Sequence, residues 1–159
     1  MTNKLRRRPR IGDVIEVPTR AGFGYAQYTH EHREPPTYGA LLRVLPGTFP
    51  TRPTNLQSLV QQPEAFLCFF PLGAACRRDL IQITGNEPIP SWAQPFPVFR
   101  TGVAGPSGRV YQWFLWDGKS ETSIAELTPE LAALPVLTGV WNHTLLAERI
   151  ATAWRPGLA

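Results

Sequence analysis

Ile11-Gly12-Asp13-Val14-Ile15-Glu16-Val17-Pro18, followed after a short connection by Gly22-Phe23-Gly24-Tyr25-Ala26-Gln27-Tyr28, is the stretch on which the fold turns. Both halves are short, rich in β-branched or aromatic residues and bounded by turn formers, the pattern of paired strands. Val14, Ile15 and Val17 surround a single charge, Glu16, so the first half reads as a strand at least half buried. Phe23 and Tyr25 share one face of the second. Gly24 and Ala26 keep the opposite face thin, so that another backbone or side chain can approach closely. Joined through Pro18-Thr19-Arg20-Ala21, the two halves predict a hairpin on which a curved antiparallel sheet or a partly open barrel can be built.

Outward from the hairpin, residues 29–36 read as a polar loop closed by two prolines, and residues 38–45 as a third strand. Thr54 or Asn55 can cap a short helix running to Gln62, ended by Pro63. Residues 65–72 form the most apolar run and predict a central strand covered on both faces. Further strands are predicted over 80–84 and 98–103, with a proline-laden meander between them. Asp117-Gly118 signals a two-residue type I′ hairpin. That turn would pair Trp116 with Lys119, Phe114 with Glu121, Trp113 with Thr122 and Tyr111 with Ile124. Tyr111, Trp113, Leu115 and Ile124 then make the core face, and Val110, Gln112, Phe114, Trp116, Lys119, Glu121 and Ser123 a second face that suits either a rim packed under a loop or a partner-binding surface. Thr128-Pro129 opens a helical turn. A last helix, capped by Asn142 or Thr144, carries Leu146, Ile150, Ala153 and Trp154 at spacings of three and four. The fold class is therefore mainly β (α+β), with a short internal helix and a C-terminal helix packed on the sheet.

The length of 159 residues suits one domain able to bury a core without metal or disulfides. Lys4, Arg6, Arg7, Arg8 and Arg10 hold five of the 16 basic residues, leaving 11 against 12 acidic ones elsewhere. The +4 charge thus belongs to a basic tail, and the body is near neutral. Residues 1–10 are expected to be a flexible tail, and 11–159 a single globular domain. No apolar run reaches a membrane span, and residues 1–10 lack the apolar stretch of a signal peptide. Cys68 and Cys76 are expected as free thiols, which points to a cytoplasmic protein without a disulfide framework.

For chemistry, His30-Glu31-His32 is the metal-like feature: on an extended backbone both imidazoles project to one side, but no further ligand group accompanies them. Cys68 sits in the most apolar run as a packed thiol; Cys76 precedes Arg77 and Arg78, whose charges would favour a thiolate, and a Cys-His pairing with His143 is geometrically open but no sequence spacing predicts it. Gly22-Phe23-Gly24 lacks the helix that a dinucleotide site needs. Asp13 and Glu16 project to opposite faces and make poor partners for paired-carboxylate chemistry. Binding is better supported, through the tryptophans at 92, 113, 116, 141 and 154 and the tyrosines.

Gly12-Asp13-Val14-Ile15-Glu16-Val17-Pro18 followed by Gly24-Tyr25-Ala26-Gln27 resembles the opening of the bacterial immunity protein 26 family. The resemblance implies a cytoplasmic protein that binds the toxin domain of a polymorphic toxin, with no cofactor and no membrane partner. Phe114, Trp116, Glu121 and Glu16 are the expected partner-binding residues. Some members carry a phosphotriesterase-type name, so the alternative is a metal-assisted phosphoester hydrolase using His30 and His32. A third reading is a nucleic-acid-binding module that works through the basic tail.

Overall fold

The opening hairpin forms as β1 (Asp13–Thr19) and β2 (Gly22–His32) in a computed structural model that describes residues 7–156. Its turn is tighter than expected, because Pro18 lies within β1 opposite Phe23 and only Arg20 and Ala21 connect the strands. The Thr19 hydroxyl donates to the Gly22 carbonyl at 2.6 Å, and Gly22 takes φ +119°, which suits a residue without Cβ.

β2 continues through the His30-Glu31-His32 stretch that charge pattern had marked as loop. It pairs there with β3 (Gly39–Val44), across a bulge between Tyr28 and His30. The inserted Thr29 reverses the alternation, so Tyr28 and Glu31 share one face while His30 and His32 take the other. The order of the larger sheet is β4-β3-β2-β1-β5, with β4 at Phe66–Phe70 and β5 at Gln82–Asn86. The apolar run thus forms an edge strand, not the central one. Its second side is partly taken by the Trp141 N–H, which donates to the Phe69 carbonyl at 2.9 Å. Apolar groups occupy both of its faces because both faces are covered.

On one face, Ile15, Ala26, Leu42, Phe66 and Ile83 pack with Leu146 and Ile150 of the C-terminal helix. That helix, α4, spans His143–Ala151 and is capped by the Asn142 side chain, which accepts from the Leu145 N–H at 2.8 Å. It lies close because Gly24 presents no Cβ, and one added there would overlap Ile150. The Arg149 guanidinium sits between the Trp141 and Trp154 rings at 4.3 and 4.1 Å and pins the end of the helix. α2 (Leu72–Arg77), which follows β4 directly, buries Leu72 and Ala75 in the same cluster.

The opposite face is covered in two parts. α1 (Leu56–Val60) is capped by Asn55 and seats Leu59 and Val60 against Val14 and Tyr25. Arg43, fully buried on β3, donates to the Val60 carbonyl and to Gln27, tying α1 to the sheet. Beside it lies a second sheet, β6-β7-β8, with β6 at Phe99–Ala104, β7 at Val110–Trp116 and β8 at Glu121–Ile124. Phe99 and Trp116 pack on Leu41 and Phe69 of the larger sheet. α3 (Pro129–Ala132) follows β8, capped by Thr128. The two sheets stay separate and do not close into a barrel.

The β7–β8 register differs from the expected one by two residues: Trp116 faces Glu121, and Phe114 faces Ser123. The loop is four residues, because the Asp117 carboxylate accepts from the Lys119 and Ser120 N–H groups at 2.9 and 2.8 Å. A type I′ turn needs φ > 0 at both central residues, and only Gly118 has it. A two-residue slip preserves which side chains share a face. The assignment of faces to core and outside is reversed at the two ends of β7, where Trp116 is buried and Tyr111 exposed, while Trp113 and Phe114 between them are both half-buried.

Candidate functional site

The histidines lie where alternation placed them, with both rings against Phe96, at centroid distances of 5.4 and 5.9 Å. Their nitrogens are committed to protein atoms. His32 is buried; its Nδ1 accepts from the Tyr38 N–H at 3.2 Å, and its Nε2 donates to the Gly118 carbonyl at 2.8 Å. His30 Nε2 donates to the Gln94 carbonyl at 2.7 Å, and its Nδ1 meets the Thr29 hydroxyl at 2.9 Å. His32 therefore staples the larger sheet to the β7–β8 loop. Among the described residues, no three His, Cys, Asp or Glu side chains gather as metal ligands.

The carboxylates of β1 are equally engaged, on opposite faces as expected. Glu16 is 5 % exposed; its Oε2 accepts from the Tyr25 hydroxyl at 2.7 Å and from Arg52 Nε at 2.9 Å. Burial and the adjoining Glu16 carboxylate push the Tyr25 phenol well above its ordinary pKa. Asp13 is fully buried and takes a two-pronged pair from Arg7, both contacts at 2.7 Å, with a third bond from Asn86. Burial raises the Asp13 pKa, but these bonds outweigh it and leave the carboxyl below its ordinary value. Of the basic tail, Arg7 is thus attached to the body, and residues 1–6 lie outside the described residues.

The expected partner-binding set separates. Phe114, Trp116 and Glu121 do share one face of the second sheet, whereas Glu16 lies on β1 of the other. Trp116 is 7 % exposed, ringed by His32, Tyr38, Phe96 and Phe99 at 4.9 to 5.8 Å. Trp116 and Glu16 are therefore interior groups, unavailable as contact surface. Phe114 is half-buried and Glu121 exposed. Two large rings are exposed among the described residues, Tyr111 at 70 % and Trp92 at 53 %, with Val103 exposed on β6. Tyr111 stands at a bulge, where Val103 pairs with Gln112 and Ala104 with Val110. The bulge takes it out of the core face that simple alternation assigned, and the Gly105-Pro106-Ser107-Gly108 turn beside it is the sequence signal for such an irregularity.

No family model, curated protein or solved structure matches this chain.

Nucleophilic chemistry finds no support in the thiols. Burial pushes the Cys68 thiol far up and the Cys76 thiol up to about 11, against the thiolate expected beside Arg77. Desolvation outweighs the cations because Cys76 packs against the core. Cys76 lies on the wall of a cleft of about 950 Å³, at the end of the larger sheet. Arg7, Arg8, Arg33 and Arg77 also line this cleft, beside the exposed apolar residues Pro71 and Val140. No short-range pattern predicts that grouping, since the arginines come from segments far apart in the chain. No helix among the described residues is long and apolar enough to cross a membrane.

Proposed function

We propose that this is a non-catalytic binding protein that neutralises a bacterial toxin domain by direct protein–protein contact. The residues of the hairpin motif, Gly12 to Pro18 and Gly24 to Gln27, support the reading through their resemblance to immunity protein 26. One structural observation carries it. The groups best equipped for chemistry (Asp13, Glu16, His30 and His32) spend their polar atoms on internal bonds, while Tyr111 stands 70 % exposed beside Val103. A large ring held on a sheet is the usual kind of anchor in an interface. Glu121, exposed on β8, would steer orientation and association rate.

The test is calorimetric titration of the full chain with the toxin domain encoded beside its gene. A saturable complex is expected, weakened about tenfold or more by Tyr111→Ala and less by Glu121→Ala. Absence of any complex, or unimpaired toxin activity at saturating protein, would refute the proposal.

A further inference from the structure

The cleft beside Cys76 has a charge pattern that the fold itself does not use. Arg7 is committed to Asp13. Of the carboxylates on the wall, Glu31 accepts from the Tyr28 hydroxyl, and Asp79 is not free. Arg8, Arg33 and Arg77 are all exposed on the same wall, and no carboxylate among the described residues pairs with any of them. The lining holds four arginines (Arg7, Arg8, Arg33 and Arg77) against two carboxylates, Glu31 and Asp79, a local positive excess beside a body whose residues 11–159 carry 11 basic and 12 acidic groups. Cations gathered around a concave, low-dielectric surface raise the local concentration of anions more than the same charges would on a convex one.

We propose that this cleft receives a carboxylate-rich segment of the protein partner. The inference rests on the reading of the molecule as a protein binder and adds the chemistry of what it binds. Two features select a peptide over other anions. Pro71 and Val140, both exposed, add apolar surface to the lining, which suits an extended chain presenting apolar and acidic side chains alternately. The guanidinium fork takes a carboxylate with two parallel bonds, as it also takes a phosphate, so the arginines set the sign of the ligand and the rest of the lining sets its class. A nucleotide finds no free aromatic platform: Tyr28 is buried, and Tyr38 is already stacked on Phe69 at 4.9 Å.

The experiment is fluorescence anisotropy of the full chain with a labelled short peptide of alternating Glu and Leu, at low and at physiological salt. Saturable binding that weakens with salt is expected. Arg33→Ser and Arg77→Ser should each weaken it about two- to fivefold, and Arg155→Ser, at an exposed arginine outside the cleft, should leave it unchanged. The corresponding Lys and Leu peptide should not bind. Failure of the acidic peptide to bind, or binding indifferent to both substitutions, overturns the proposal. Binding of inorganic pyrophosphate without the peptide overturns it in favour of a phosphate site. The two readings separate with the toxin domain. Capture that Arg33→Ser and Arg77→Ser leave unchanged removes the cleft and keeps the toxin binder. Peptide binding without toxin capture does the reverse.

Discussion

Replacing Trp116 with Ala should damage stability, because its ring is a structural joint between the two sheets. The side chain is 7 % exposed and meets His32 at 4.9 Å, Tyr38 at 5.3 Å and both Phe96 and Phe99 at 5.8 Å. Truncating a buried tryptophan to alanine removes its transfer energy and leaves a cavity, at a cost of about 3–5 kcal/mol. Against a total stability of about 5–15 kcal/mol, that is a large share. For a chain of this size each kcal/mol moves Tm by about 2–4 °C, so a fall of roughly 6–20 °C is expected. Urea unfolding followed by far-UV circular dichroism measures the loss directly, as a lower midpoint with the slope unchanged. Tyr111→Ala is the control, expected within about 0.5 kcal/mol of wild type. A Trp116→Ala protein no less stable than that control would refute the packing argument and return Trp116 to the surface.

His32→Phe keeps an aromatic ring but strands the Tyr38 N–H and the Gly118 carbonyl. Each orphan costs about 1–3 kcal/mol, and the midpoint in urea should report the loss. Asp13→Asn should cost about 1.5–3 kcal/mol at neutral pH, through its bonds to Arg7 and Asn86. Because the folded Asp13 pKa is depressed, its contribution is full above the ordinary value of 3.8 and is lost as pH falls through the lower folded value. Acid titration of both proteins should therefore show their stabilities converging at low pH. Cys68 and Cys76 should react with a thiol reagent at pH 8 far more slowly in the native chain than after unfolding, since burial raises both thiol pKa values; equal rates would contradict that.

Local alternation and turn chemistry determined much of this protein from the sequence alone. The opening hairpin, the mainly antiparallel β class and the two helix starts could be read from neighbouring residues, the structure choosing Asn55 over Thr54 and Asn142 over Thr144 as caps. So could the thin face at Gly24, because a missing Cβ acts on whatever packs there. The sharing of a face by Phe114, Trp116 and Glu121 survived even a misplaced turn, since a slip of two residues leaves the pleat unchanged. Tertiary structure alone decided which face is covered. The bulges at Thr29 and Tyr111 shift the alternation, and they exist because of the partner strands opposite them. Burial of Trp116 and Glu16, and the gathering of Arg8, Arg33 and Arg77 on one wall, follow from contacts between segments far apart in the chain. Periodicity reports which side chains point the same way. What they point at is set by long-range packing.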